Sequence, residues 1–397
     1  MSDLEDISSD NDPFDLEVDP SIEELTGVEV ASDRIAVIRT SDRGGFKRCR
    51  RRWGWQSHLR GNLTTIEGVS PLWFGTGIHF ALEDFHGYKT YSHPRLAFED
   101  YVRATYRQEK STGKKLPYNW PDLVVLGRGM LEYYTDTWLV ARDPLKTLIW
   151  QGIPQVEVHA VVEVPFRNKW YDKVYYAVTL DRIVEGDDGF LYIVDYKTAQ
   201  RIQTQFFQTD PQISAYCWIA SKLYPGRQIG GFIYQQHRKD VPLPPRVLGD
   251  GTVSISRSQL TTHRHYRRAL INLYGSVEAA PSETIEFLNW LNTQETPSRD
   301  RYIRRDWVYR NQHQIEAEGT KVLMELDEML NKDLPLYPSP TRECGNMCSF
   351  NSACISMDDG SDWEWELQVG FKPKEANFDS WRQFLPKPQE QRERIFT

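Results

Sequence analysis

Residues 174–197 contain two acids and a lysine whose spacing suits metal-assisted chemistry. Asp181 and Asp195 interrupt two runs rich in Val, Ile, Leu and Tyr, and Lys197 follows two residues after the second acid. Strand interiors disfavour Asp, so two aspartates in apolar strands need a reason. A divalent cation held by both carboxylates, beside the Lys197 ammonium, is the functional interpretation. The alternative is a surface hairpin with solvated charges.

A turn sequence between the two runs determines how the acids meet. Gly-Asp-Asp-Gly at 186–189 predicts a hairpin. Each aspartate lies five or six residues from this turn, so antiparallel pairing brings both to the same end of the hairpin. Because side chains alternate along a strand, Asp195 and Lys197 share a face and Tyr196 points away.

An apolar segment before the hairpin adds a histidine. Its pattern predicts a helix over 69–90 that begins near Ser70-Pro71, with His79 and Glu83 one turn apart on one face. A lone histidine on an apolar helix is more often a core residue than a metal ligand. It becomes a candidate ligand only beside the hairpin carboxylates. A predicted strand over 147–165 carries two further acids, Glu157 and Glu163.

A helix start follows the hairpin at Asp210-Pro211, an N-cap with proline at the first helical position. It places Gln212 in the first turn and Tyr216 one turn later on the same face. A helix N-terminus offers free N–H groups and positive potential, which suit a phosphate. Other patterns predict helices near 95–110 and 121–141, a strand over 230–239 and a helical region over 257–330.

Charge is distributed unevenly along the 397 residues, which allow one large domain or two. The formal net charge is −8, but residues 1–33 hold twelve acids and no Lys or Arg. The remainder therefore carries 48 basic and 44 acidic residues, a net charge of +4. This pattern predicts an acidic disordered tail on a mildly basic body suited to a nucleic-acid partner. The tail either solubilises the protein or competes with DNA for the basic surface.

Basic residues are interleaved with aromatic ones at 46–55, 263–268 and 299–310. Such runs suit phosphate contact with base stacking, but they also suit solvated helix faces, and the sequence leaves both interpretations open. No signal-peptide pattern and no apolar run long enough for a bilayer are present, and five cysteines do not form a disulfide scaffold. We therefore expect a protein of the reducing cytoplasm with no membrane partner.

Three cysteines near the C-terminal end have the spacing C-x3-C-x5-C: Cys344, Cys348 and Cys354. Three thiols so close together in a reducing setting predict metal ligands, and Cys49 is the natural fourth. Zinc sites usually consist of two local pairs. A one-plus-three division across the chain favours an iron–sulfur cluster that closes the fold, with zinc or free thiols as alternatives.

Together, GTGIHFALE, LDRI, VDYK, QISAY and the four cysteines resemble the RecB-type branch of the PD-(D/E)XK nuclease superfamily. The likeness extends to phage and CRISPR-associated exonucleases with a cysteine-bound cluster. It covers residues 49–354, although the first cysteine gap is one residue longer than the usual C-x2-C-x5-C. The resemblance implies an α/β restriction-endonuclease-like core, a central mixed β-sheet flanked by helices, with helical insertions and an iron–sulfur staple joining the N- and C-terminal parts.

The resemblance also assigns roles to residues. Asp181, Asp195 and Lys197 are implied as catalytic, and Gln212 and Tyr216 as DNA-positioning. Glu83, one turn from His79, is either a partner of that residue or a plain acid on the helix surface. The implied ligands of Mg²⁺ or Mn²⁺ are His79, Asp181, Asp195 and the backbone carbonyl of Tyr196, and those of a 4Fe–4S cluster are Cys49, Cys344, Cys348 and Cys354.

A DNA exonuclease is the implied function, acting on single strands or duplex ends in phage recombination, replication or processing. Recombination or replication proteins are then expected partners, and a phage protein would act in the host cytoplasm. The nuclease domain is expected over 34–356, with its core over 69–239, and residues 357–397 form an extension of unknown role. The alternatives are an endonuclease or spacer-processing nuclease, and a catalytically silent DNA-binding scaffold.

Overall fold

The computed structural model describes residues 34–66, 73–111, 119–139, 145–296 and 298–374. The acidic tail over 1–33, the helix start at Ser70-Pro71 and the end of the 357–397 extension lie outside these ranges. Within them, no helix has the length and apolar character needed to cross a bilayer.

A mixed sheet of seven strands forms the centre, and its main path runs β1-β7-β8-β9-β10, with β3 and β6 also paired to β7. The strands are β1 (Ile35–Arg39), β3 (Lys146–Thr147), β6 (Val156–Val164), β7 (Lys173–Glu185), β8 (Leu191–Ala199), β9 (Ile229–Arg238) and β10 (Ile303–Tyr309). The predicted hairpin is confirmed as β7 and β8, and the strand predicted over 230–239 is confirmed as β9.

Three helices cover one face of the sheet: α3 (Trp73–His86), α4 (Pro94–Ser111) and α5 (Trp120–Tyr133). They pack on side chains from β8 such as Tyr192, Val194 and Tyr196. The helices predicted near 95–110 and 121–141 are confirmed, and the end of the second continues as a π-helical turn, Tyr134–Leu139.

The opposite face is covered by α6 (Pro211–Leu223) and α9 (Gln312–Met329) together with the N-terminal helices α1 (Thr40–Arg48) and α2 (Arg50–Gln56). Helix α6 begins as predicted, because the Asp210 side chain accepts a hydrogen bond from Gln212 N–H at 2.8 Å. It is the crossover between the parallel strands β8 and β9.

Two sequence predictions of continuous elements are wrong. The strand expected over 147–165 is broken, because Gln151 and Gly152 adopt φ values of 49° and 82° in a turn. This turn joins β4 (Ile149–Trp150) and β5 (Ile153–Pro154). The region 257–330 is not helical throughout. It contains α7 (His263–Tyr274) and α8 (Ser282–Gln294), but residues 303–309 form β10 because they pair antiparallel with β9.

The basic run near the N-terminus joins the two ends of the fold. Lys47, Arg50 and Arg51 all form ion pairs within the protein, and their contact with DNA remains a prediction. Their ion-pair partners are Glu325 for Lys47, Glu328 for Arg50 and Asp358 for Arg51. In the same region, the buried guanidinium of Arg43 contacts Glu318 at 3.0 Å and Glu325 at 2.6 Å.

The segment after residue 340 returns to the N-terminal part of the chain. It forms α10 (Cys344–Met347), α11 (Asn351–Asp359), α12 (Trp363–Gly370) and β11 (Phe371–Pro373). Strand β11 pairs antiparallel with β2 (Leu63–Thr65). The described part of the C-terminal extension therefore packs on the same body as the N-terminal helices.

The close contact between α3 and α4 depends on Gly77. A Cβ at this position would lie 2.6 Å from Tyr101 Cδ1 and 2.9 Å from Phe98 Cε2, inside buried rings. We expect Gly77→Ala to lower the free energy of unfolding by about 2 kcal/mol, as overpacking does. Gly44→Ala, on α1 with open space around it, should be neutral or stabilising. Thermal melts of both variants test this, and equal melting temperatures would contradict it.

Candidate active site

The site lies where β7 and β8 separate. Their ladder ends at the pair Arg182–Val194, and Asp181 and Asp195 are the next residue of each strand beyond it. The Asp181 carboxylate fills the gap, because its Oδ2 accepts a hydrogen bond from Tyr196 N–H at 2.7 Å. The sheet therefore opens at the point where the two acids stand, as the hairpin count predicted.

A third acid is in register with this pair. On β6, Val156 pairs with Arg182 and Val158 with Leu180, which places Glu157 across from Asp181. Glu157 has a φ of 44°, in the left-handed region that a side-chain-bearing residue seldom adopts. Glu157, Asp181 and Asp195 thus stand at corresponding positions on three neighbouring strands.

His79 reaches this row from α3. Its Nδ1 lies 3.4 Å from Asp181 Oδ2. One potential ligand atom from each of His79, Glu157 and Asp181 lies within 4.8 Å of the other two. Burial disfavours the imidazolium, but the carboxylates of Asp181 and Glu157 outweigh it and raise the pKa of His79 to about 9. Burial likewise opposes the Asp181 carboxylate, yet His79 and Lys197 hold the pKa of Asp181 below its ordinary value.

Asp195 is oriented by Lys197. The Lys197 Nζ donates to Asp195 Oδ1 at 2.8 Å and also lies 2.7 Å from Oδ2, which has no hydrogen bond of suitable geometry. Burial, opposed by Lys197 and reinforced by the Asp181 charge, raises the pKa of Asp195 to about 6. Burial alone would lower the pKa of Lys197, but Asp195 and Asp181 raise it above its ordinary range.

Helix α6 borders the same site. The Gln212 side chain donates to the Tyr216 hydroxyl at 2.8 Å, as expected for residues one turn apart. Burial and the Asp195 charge raise the pKa of Tyr216, so its hydroxyl stays protonated at neutral pH. The two residues assigned to DNA positioning therefore form one unit beside Asp195 and Lys197.

The Tyr196 side chain points to the other face, as alternation predicted. It is buried against α3, where its ring stacks on His86 with centroids 6.1 Å apart. Its hydroxyl accepts a hydrogen bond from Arg182 at 3.4 Å. This packing fixes the backbone between Asp195 and Lys197.

The four cysteines belong to adjacent parts of the fold. Cys49 separates α1 from α2. Nearby, Arg51 Nη1 lies 3.3 Å from Cys354 Sγ, and Arg48 lies 3.9 Å from Glu343, the residue before Cys344. Among the described residues, no three thiols lie within 4.8 Å of one another. The parts of the chain that carry these cysteines thus lie in contact, and a cluster bound by them remains a prediction.

A family model of the PD-(D/E)XK nuclease superfamily matches residues 43–355, most of the chain. The chain belongs to the PD-(D/E)XK nuclease superfamily. No curated protein matches it. Membership of this superfamily agrees with the central mixed sheet flanked by helices, and it indicates a metal-dependent nuclease with DNA as substrate.

The structure brings together the residues that the sequence nominated, with one addition. His79, Asp181, Asp195, Lys197, Gln212 and Tyr216 converge at the open end of the hairpin. Glu157 was noted from the sequence only as a further acid in a strand, and the structure places it against His79 and Asp181. A carboxylate inside an apolar strand was the available signal. The pairing of Glu83 with His79 and the role of the Tyr196 carbonyl remain predictions.

Proposed function

We propose that this protein is a Mg²⁺- or Mn²⁺-dependent DNA exonuclease. The observation that carries the proposal is the opening between β7 and β8, where Asp181, Asp195 and Lys197 meet beside His79. A scaffold without activity has no need of a buried aspartate whose pKa is raised to about 6.

The donor set fits a divalent cation. Carboxylate oxygens with one imidazole suit Mg²⁺ or Mn²⁺, and His79, Glu157 and Asp181 already lie within 4.8 Å of one another. Asp195 and the Tyr196 carbonyl are the proposed remaining ligands. A cation held here supplies positive charge to the phosphoryl oxygens and lowers the pKa of water.

The protein's own residues position the DNA substrate and offset the negative charge of its phosphate. The carboxylates of Asp195 and Asp181 raise the pKa of Lys197, and its ammonium orients the attacking water and offsets negative charge. The Gln212 side chain lies in the first turn of α6 and donates to the Tyr216 hydroxyl one turn later, and the positive potential of a helix N-terminus favours a phosphate there. The DNA strand is thereby held against the open end of the hairpin.

Digestion of end-labelled linear DNA and of covalently closed circular DNA, with Mg²⁺ and with Mn²⁺, tests the function. An exonuclease releases label from the linear substrate and leaves the circle intact. Cleavage of the circle would replace the proposal with the endonuclease alternative. An absence of cleavage on both substrates with both metals would favour the DNA-binding scaffold. The label position that is lost first also gives the polarity.

Metal affinity should depend on pH through His79. The imidazole must be neutral to bind a metal, and its pKa is about 9 without one, so a proton competes with the metal below that pH. We expect the apparent Mn²⁺ affinity to rise about tenfold per pH unit between pH 7 and pH 8.5 and to level off above about pH 9. Calorimetry in buffers of different ionisation enthalpy should show release of about one proton. A flat profile would contradict the assignment of His79.

We further propose that Cys49, Cys344, Cys348 and Cys354 bind a 4Fe–4S cluster. Zinc sites usually consist of two local pairs of ligands, whereas these cysteines divide one plus three across the chain. This division supports an iron–sulfur cluster over zinc.

Cys348→Ala should lose the brown colour and lower the melting temperature by several degrees, while single-turnover cleavage at low temperature is retained. The cysteines lie among the contacts that join the two chain ends and not among the acids. Cys217→Ala, in the buried core away from this group, is the matched control and should stay brown. A colourless, zinc-loaded wild type prepared without oxygen would contradict the cluster but not the nuclease site.

A further inference from the structure

A cavity of about 450 Å³ lies between the loop that follows β8 and the edge strand β10. Its size is that of a small-molecule site and is sufficient for a nucleobase. None of the residues that line it is basic, so it is not built for a phosphate. Three lining residues are aromatic and four polar residues accompany them: Phe206, Phe207 and Trp307, with Thr204, Gln208, Thr209 and Asp306.

The loop that forms one wall is held in place at both ends. The buried Gln236 amide exchanges two hydrogen bonds of 2.8 Å with the backbone of Gln203. The guanidinium of Arg310 donates to the carbonyls of Phe207 at 3.3 Å and Gln208 at 2.9 Å. The wall is therefore a fixed surface.

Phe206 is the exception in this fixed loop. Its side chain is 79% exposed, and its φ of 73° lies in the left-handed region. A bulky residue in that conformation is strained, and an exposed ring gains nothing from the core. The neighbouring Phe207 instead packs on Tyr234, with ring centroids 4.7 Å apart. The fold thus partly buries Phe207 against Tyr234 and leaves Phe206 exposed at the cavity.

The strand register relates the cavity to the cleavage site. Asp195 pairs with Tyr234 on β9, and Tyr234 pairs with Asp306 on β10. Two interstrand spacings separate Asp195 from Asp306, roughly 10 Å. A nucleic-acid strand advances about 3.4 Å per nucleotide when stacked, so this distance corresponds to one to three nucleotides.

Resting on the nuclease function proposed above, we propose that this cavity receives an unstacked nucleobase of the DNA substrate, one to three nucleotides from the cleaved bond. Phe206 stacks on the face of the base, and the edge of the base faces Asp306 and Gln208. The Asp306 carboxylate is held by Arg304, whose Nε lies 2.7 Å from Oδ2. Its acceptor oxygens favour a base with an exocyclic amine, while its charge excludes the phosphate.

Binding without metal tests the inference separately from cleavage. A duplex with a short single-stranded overhang fixes the register, and an abasic nucleotide is moved along the overhang in EDTA. Wild type should lose about tenfold in affinity when the abasic nucleotide occupies one particular position. Phe206→Ala should bind the intact overhang about tenfold more weakly and show no further loss at that position. Phe190→Ala, a partly exposed phenylalanine at the far end of the hairpin, is the control and should behave as wild type.

An abasic penalty of the same size in Phe206→Ala and in wild type would overturn the inference. So would binding by Phe206→Ala that equals wild type on every strand. A second readout is 2-aminopurine at the sensitive position, whose fluorescence should be quenched by wild type and not by Phe206→Ala. Cleavage of the intact substrate by wild type with Mn²⁺ is measured in parallel. If cleavage is absent while the positional penalty persists, the nuclease function fails and the base cavity stands.

Discussion

Lys197→Ala should reduce single-turnover cleavage of DNA by about 1,000-fold or more with Mg²⁺ or Mn²⁺ present. Its ammonium is the positive group that contacts the Asp195 carboxylate, at 2.7 Å and 2.8 Å. Removing it takes away the charge that offsets the phosphoryl oxygens. It also removes the interaction that counters the burial of Asp195, so the pKa of Asp195 should rise further above about 6. Part of the Asp195 population is then protonated at neutral pH and unable to bind a metal.

Two controls separate chemistry from folding in this experiment. Lys173→Ala removes an exposed lysine at the start of the same hairpin and should leave cleavage unchanged. Lys197→Gln keeps a hydrogen-bond donor without the charge, and should melt close to wild type while remaining inactive. Cleavage at the wild-type rate by Lys197→Ala would remove the proposed role of this residue.

Glu157→Gln should weaken Mn²⁺ binding by about 100-fold, because the structure places this carboxylate with His79 and Asp181. Glu163→Gln, an exposed acid on the same strand, is the matched control and should bind Mn²⁺ as wild type does. Titration calorimetry measures both affinities. If the two variants bind Mn²⁺ equally, Glu157 is not a ligand, and the proposed set is reduced to His79, Asp181, Asp195 and the Tyr196 carbonyl.

The backbone at Glu157 allows a second, sharper variant. A φ of 44° costs a residue with a side chain about 1–2 kcal/mol, and glycine avoids that cost. Glu157→Gly should therefore keep or raise the melting temperature while it loses Mn²⁺ affinity. This opposite movement of stability and binding distinguishes a strained ligand from a residue with a merely structural role.

The hairpin that carries Asp181 and Asp195 could be predicted from the sequence because its signal is local. Asp195 and Lys197 are two residues apart, and the strand period alone places them on one face. The role of Glu157 could not be read in the same way. It depends on the register between β6 and β7 and on the backbone conformation of Glu157, which no local sequence pattern predicts.

The other differences also arise from partners distant in sequence. The basic run at 46–55 has the pattern of a nucleic-acid contact, and the sequence does not reveal that its residues pair with acids from residues 325–358. Strand β10 is an edge strand that carries arginines, so its charges hide the alternation that a buried strand shows. Residues 299–310 were therefore assigned to a helical region.

The placement of Arg43 has a consequence for biosynthesis. Its guanidinium is buried against Glu318 and Glu325, which are made about 280 residues later. A buried guanidinium without a counter-charge is unfavourable. Helix α1 therefore cannot pack on the sheet while the ribosome is still synthesising the residues before Glu318. The N-terminal helices can pack only after α9 has left the ribosome. Truncation before residue 318 should leave these helices exposed to proteases and chaperones.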